Sequence, residues 1–546
     1  MFGSPVEMGA ESLRRTGQGA GRFMLMLLAV AVVGCSSQPA TGSSPSSVSF
    51  TGATASSGGA VAMKDEVVVR LWDNPQGFDP ATLFRIETEN VAFNIYSGLT
   101  TYDAKTGGIA PDLAESWENT DAQTWTFHLR HGVKWQGDYG EMTSADVLYS
   151  YNRVLDPATA SPYRGEFASV QSIAAPDDYT VVIGLKAPDA NFLHQVASYH
   201  QGQVLKKEAV EKYADQYQLN PVGTGPFMLD HFTQNSEIVL NRFDGYFRGP
   251  AQLKRVTYRI IKDDGTAEVA LKNHEVDLSG TISDNGILAR LGQDARFTMN
   301  KAVGYAVNLT MFNMEFEPFS KPQVRQAFAH AIDRDAIIKA TAPITQSHAD
   351  NMLPDWMDVA SKDVPVYQFD PARARTLLAE AGYPNGFNLK LTGIATAGGA
   401  SEGDLLRQDY LSKVGIKMDF EFVETAVYNQ RRTSGDFQLA GRLLPAVNPD
   451  TILFGYLHPA NTAPKGFNSA RYNNPTVTGL LESARAETND ARRKELYASA
   501  ERMVMTDLPY LPTAQSSTYW PGWAAVKGVE INKLADVSFW AVTVEA

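Results

Sequence analysis

Residues 124–130, TWTFHLR, put Trp125, Phe127 and Leu129 on one side of an extended chain and Thr126 and His128 on the other. A period of two is the mark of a half-buried strand. A little further on, Thr143-Ser144-Ala145-Asp146 has the form of a helix capping box with Asp in the place of Glu. Val147, Tyr151 and Val154 then recur at helical spacing. This switch of period within a short span decides the class. Strands and helices alternate, so the chain predicts α/β layers rather than an all-helical or all-β body.

The same alternation extends both ways. Residues 66–71, EVVVRL, form a β-branched run that stops at Asp73-Asn74-Pro75. After Pro322, the residues Val324, Phe328 and Ile332 make a stripe at i, i+4 and i+8. Asp370-Pro371 sets an N-cap residue before a proline at the first helical position, and Gly382 stands where that helix should end. Leu377, Leu378 and Ala381 are its expected buried face. Met418, Phe420 and Phe422 alternate again as a strand. The stretch from about residue 100 to 240 is the richest in strands.

The chain has 546 residues, too many for one core, so two or three domains are expected. Its formal charge of −13 argues against nucleic acid and against anionic lipid surfaces as partners. The N-terminal end is of a different kind. Residues 23–33, FMLMLLAVAVV, follow Arg14, Arg15 and Arg22, and are too short to span a bilayer. They predict the apolar region of a secretory signal. Val32-Val33-Gly34-Cys35 ends the run with the single cysteine of the chain. It resembles a bacterial lipobox, in which the cysteine is lipidated and becomes the new N-terminus. Cys35 is therefore the expected lipidation site, and no disulfide within the chain is expected. Residues 36–62 carry no charge and are rich in Ser, Gly, Ala and Thr, the composition of a flexible tether.

The motifs of common enzymes are missing. Gly223-Thr224-Gly225 runs into Pro226-Phe227 and lacks the third glycine and helix start of a dinucleotide loop. There is no Walker loop, no GxSxG elbow and no HExxH helix; His274-Glu275 has Leu278 where a second zinc ligand would stand. The closest useful histidine pair, His194 and His200, is too widely spaced for a structural zinc site. No catalytic residue, no metal and no cofactor are expected. Of the 8 Trp, 22 Tyr and 26 Phe, most are expected to pack the core and the remainder to line a ligand cleft.

Several stretches resemble the family 5 solute-binding proteins, the peptide- and nickel-type receptors of ABC importers. They are residues 110–117, APDLAESW, followed by 125–130 and 133–135; 220–227, NPVGTGPF; 325–334, RQAFAHAIDR; and 377–384, LLAEAGYP. Residues 156–163, DPATASPY, are most similar to the oligopeptide-binding branch. The resemblance implies a two-lobed periplasmic-binding-protein fold of type II, in its large three-domain variant, with an interlobe ligand cleft. Residues 63–95, 211–300 and 511–546 would form domain I, 96–210 domain II and 301–510 domain III. The chain would cross between lobes twice near a hinge. Its partners would be a peptide or peptide-like solute and the permease and ATPase subunits. It would work as a monomer at the extracytoplasmic face of a bacterial membrane, held there by its lipid.

The wall residues that the resemblance implies are Phe84, Arg85, Ile86, Tyr305, Asn308 and Arg442. One motif departs from the family. Peptide-binding members carry a tryptophan and an aspartate in the stretch here reading QLAGRLLPAV, residues 438–447, and both are absent. In the family that aspartate binds a peptide α-ammonium, whereas an arginine near Arg442 meets a peptide C-terminus. Two other readings stay open: a receptor of the same fold for a metal chelate, opine or oligosaccharide, and a secreted hydrolase or adhesin that has borrowed the fold.

Overall fold

The structure, a computed structural model, describes residues 62–546 apart from 84, 120, 198, 199 and 447. The signal segment, Cys35 and nearly all of the tether lie outside the described residues, and so does Phe84. Among the described residues no helix is long and apolar enough to cross a membrane.

One eleven-stranded sheet organises the molecule. Its first half contains Phe227–Thr233, Glu237–Arg242, Arg255–Ile260, Glu66–Leu71 and the short Leu278–Ser279. Its second half contains Leu439–Pro445, Asn388–Ile394 and Lys417–Val423. Between them run two long antiparallel strands, Phe297–Phe312 and Tyr510–Trp523. Each crosses from one half to the other. A separate antiparallel four-stranded sheet is built from Ala114–Asn119, Thr124–Leu129, Thr180–Leu185 and Val170–Asp177.

Two large apolar clusters fill these layers. The first joins Val67, Val69 and Leu71 to Trp125, Phe127, Leu129, Val147 and Tyr151. The second joins Val307 and Leu309 to Val324, Phe328, Leu377, Leu378, Met418 and Leu444. The fold is α/β and two-lobed, with the long strand pair as the link.

The local expectations hold where short-range chemistry governs. The strand Thr124–Leu129 buries Trp125, Phe127 and Leu129. The helix Ser144–Leu155 starts with the Thr143–Asp146 capping box. Asp370 caps Pro371–Glu380 by accepting the N–H groups of Ala372 and Arg373, and Gly382 follows at φ +93°. Two details differ. The helix Pro322–Ala331 stops one residue before Ile332, because Asp333 caps a new helix, Arg334–Thr341. Ala381 is only half-buried, since it is the C-cap of its helix. Phe420 and Phe422 are half-buried too, because Lys417–Val423 is the outermost strand of its half.

The recognisable motifs turn out to be staples. A Cβ on Gly223 would meet the Ile95 carbonyl oxygen at 2.0 Å, and the Gly225 N–H donates to that oxygen at 2.8 Å. The NPVGTGPF turn is thus glycine-rich so that it can press on residues 94–96, just beyond the helix Ile86–Ala92. Arg325 is buried and donates to the carbonyls of Asp507, Leu508 and Phe319; burial pulls its pKa down to about 10. Arg334 donates to the carbonyls of Ala349, Pro512 and Tyr367 and pairs with Asp350 at 3.0 Å. Arg70, inside its strand, spends its guanidinium on the carbonyls of Ile261, Lys262, Gly280 and Thr281 and on Asp264. Each of these cations ties distant backbone carbonyls together and leaves no buried charge unsolvated.

Candidate functional site: the junction of the lobes

The link between the lobes is irregular where it matters. The pairing of the two long strands slips between Ala302 and Ala306, and again between Asn308 and Leu309. Inside the first slip, Gly304 has φ +69°, a conformation that a side chain strains. Its carbonyl accepts the Trp356 indole N–H at 2.9 Å. Gln515, opposite, accepts the Asp355 N–H at 3.2 Å. A short strand, Gln346–Ser347, pairs with Ser516 and Gln515 at the same level. A bulged two-strand link of this kind bends more readily than a continuous ladder.

Of the expected wall residues, Tyr305 and Asn308 lie on the long strand Phe297–Phe312, Arg442 on Leu439–Pro445 beside it, and Arg85 and Ile86 at the start of the helix Ile86–Ala92. Arg85 stands at the N-terminal boundary of the helix Ile86–Ala92 and pairs with Glu87 at 3.1 Å and Asp73 at 3.0 Å. The Glu87 hydrogen bond, with Asp73 behind it, holds the Arg85 pKa above its ordinary value. Ile86 is 43 % exposed. Tyr305 is half-buried, and its carbonyl accepts the Ala446 N–H at 2.9 Å. Asn308 donates to the Ser516 hydroxyl at 2.7 Å and lines a cavity of about 380 Å³ with Arg334 and Arg407. Arg442 donates to the Tyr456 hydroxyl at 2.8 Å and lies over that ring.

A larger cavity of about 660 Å³ lies between the two cores, within the range of small-molecule sites. Segments 105–109 and 190–194 form one side; 356–359, 448–449 and 490–497 form the other. Of the expected wall residues that the structure describes, Arg85, Ile86, Tyr305, Asn308 and Arg442, none lines it. Its walls mix Trp356 and Leu193 with Asn191, His194, Lys494 and Tyr497. Lys494 bridges Asp358 at 2.6 Å and Asp490 at 2.7 Å, so these charges are matched. Burial, with the Arg493 charge adding to it, brings His194 down to about 4 and keeps its imidazole neutral. The cavity offers hydrogen-bonding groups and apolar wall, which suits binding. Nothing in the local sequence announces it: its residues come from five separate segments.

Two carboxylates that could stand in for the missing aspartate, Asp450 and Glu87, are already engaged. Asp450 accepts from Arg485 at 3.1 Å and from the Tyr497 hydroxyl at 3.2 Å. Burial pushes it up to about 7, with Arg485 opposing the rise and Asp189 adding to it. Glu87 is held by Arg85. Among the described residues no group of three or more His, Cys, Asp and Glu is placed to hold a metal ion.

A two-lobed α/β body whose lobes are joined by a bent strand pair, with a cavity between them, is the architecture of a solute receptor. The chain belongs to the bacterial extracellular solute-binding proteins, family 5, whose middle region matches residues 108–464. It is 28% identical over 505 residues to the dipeptide-binding protein of Escherichia coli, covering 86% of this chain and 93% of that one. It is 29% identical over 504 residues to heme-binding protein A of Haemophilus influenzae, covering 86% and 91%. Among solved structures it resembles the periplasmic binding protein DppA of Helicobacter pylori in complex with the peptide STSA. There the TM-score is 0.75 at 28% identity, over 89% of this chain and 99% of that one. These relatives are binding proteins, not enzymes.

Proposed function

We propose that this protein is the substrate-binding lipoprotein of an ABC importer. It captures a peptide or peptide-like solute between its lobes, closes over it and delivers it to the permease and ATPase subunits. The observation that carries this reading is the bulged link at Gly304, where a single sheet passes between two separately packed cores. The names of the dipeptide-binding and peptide-complexed relatives support a peptide ligand.

Cys35 carries the lipid, the tether 36–62 gives the body reach, and anchoring keeps a monomeric receptor near its transporter on the extracytoplasmic face. The domains are 63–95 with 211–300 and 511–546, then 96–210, then 301–510. Phe84, Arg85, Ile86, Tyr305, Asn308 and Arg442 are the wall residues to substitute first.

A second reading, a receptor for a non-peptide solute such as a metal chelate, is favoured by the missing tryptophan and aspartate in residues 438–447 and by the heme-binding relative. Mass spectrometry of the solute that co-purifies with the mature protein separates the two. A peptide ladder supports the first reading; a single non-peptide mass overturns it.

A further inference from the structure

Beside the larger cavity, three successive residues of the first lobe are each bound to the second. Arg485 Nη2 donates to Asp189 Oδ2 at 3.4 Å. The Ala190 N–H donates to the Arg485 carbonyl at 2.7 Å. Asn191 Nδ2 donates to the Tyr497 hydroxyl at 2.8 Å. The receiving side is itself organised. The Tyr497 hydroxyl donates in turn to Asp450, whose other oxygen accepts from Arg485 Nε, and the guanidinium carbon lies 3.8 Å from the Phe454 ring centre.

The first-lobe turn is preformed. Asp189 Oδ1 accepts the Asn191 N–H at 3.0 Å, and the Asp189 N–H donates to the Ala122 carbonyl at 2.6 Å. Phe192, the next residue, is rooted in the first core, and Ala484, beside Arg485, in the second. The three contacts therefore join two bodies with separate cores.

Their chemistry is that of a reversible contact. Hydrogen bonds and one ion pair exchange with water at small net cost, whereas interdigitated apolar side chains do not. Asn191 and Tyr497 also line the cavity, so the contact and the width of the cavity change together. We propose that Asp189, Ala190 and Asn191 form a polar latch that closes on Arg485 and Tyr497 and holds the lobes together. The latch rests on the two-lobed fold and not on the identity of the solute, so failure to find a peptide ligand leaves it standing.

The test is a distance measurement on the ligand-free full chain. Spin labels are placed through Gln171→Cys in the first lobe and Glu495→Cys in the second, with Cys35→Ser to remove the native thiol. The parent is expected to show a short-distance population, and Asp189→Asn with Asn191→Ala is expected to reduce it at least threefold. Asn191→Ala alone leaves every charge paired, and is expected to reduce it by a smaller factor with the fold intact. A parent without a short-distance population overturns the latch. So do variants that lower the unfolding temperature and leave the distances unchanged, the outcome expected of permanent packing.

Discussion

Arg442 and Asn308 stand on opposite faces of the same sheet. In the antiparallel register Leu309 pairs with Arg442 and Asn308 with Leu443, and side chains alternate along each strand. Arg442 therefore turns to Tyr456, whereas Asn308 turns to the cavity beside Arg334. In the ligand-free protein, Arg442→Ala is expected to cost about 1–2 kcal/mol, the worth of one charge-assisted hydrogen bond and a cation–ring contact. Tyr456→Phe, which removes the hydrogen bond and keeps the ring contact, should cost roughly half as much. Urea unfolding of the two variants measures it, and an unchanged midpoint for Arg442→Ala contradicts the assignment.

The absent amine anchor has a measurable consequence. Leu444 and Ala446 are buried in the second core, and Asp450 and Glu87 already have cationic partners. A buried ammonium without its carboxylate costs about 3–5 kcal/mol, or roughly two to three and a half decades of affinity. Free and N-acetylated forms of a bound peptide should therefore differ less than tenfold by calorimetry. A hundredfold preference for the free amine would show that some carboxylate is released to meet it.

Closure should be visible thermodynamically. A solute that binds the folded chain only, at 100 times its dissociation constant, adds about 2.7 kcal/mol to stability. X-ray scattering should show compaction at the same concentration. A profile that does not change with a solute shown to bind would sink the hinge.

Stability should fall on the alkaline side through Glu501. Burial pushes this carboxyl up to about 8, although it accepts the Ser361 N–H at 2.6 Å. A raised carboxyl contributes stability that is fully present below its unfolded pKa and is lost as pH rises through the folded value. The window is thus about pH 4.5 to 8, at about 1.4 kcal/mol per pKa unit. Buried His194 and His200, brought down to about 4 and about 3, act in the other direction: their contribution is lost as pH falls below about 6.5. Thermal melts from pH 5 to 9 should show Glu501→Gln losing less stability than the parent as pH rises from 5 to 8. Parallel curves for variant and parent would refute this.

Cys35→Ala should abolish lipidation and release the protein from membrane fractions, because Cys35 is the only thiol in the chain. Equal labelling of variant and parent by a radioactive fatty acid is the contrary result.

Much of this protein was legible from local sequence. The alternation in residues 124–130, the Thr143–Asp146 box and the Asp370-Pro371 start are all decided within a turn or two of chain, where backbone hydrogen bonding and side-chain period leave little choice. The family motifs were legible as well, although Gly223, Arg325 and Arg334 proved to be staples of the fold. What the sequence could not state is which faces meet. Whether Arg442 reaches a cleft depends on a strand register fixed by pairing with Phe297–Phe312, far away in the chain. The cavity and the contact of Asp189 with Arg485 join segments some 300 residues apart, with a sequence separation of 296 for that pair. Such contacts carry no periodic signal, because they arise only when two separately packed cores are brought together by the strands between them.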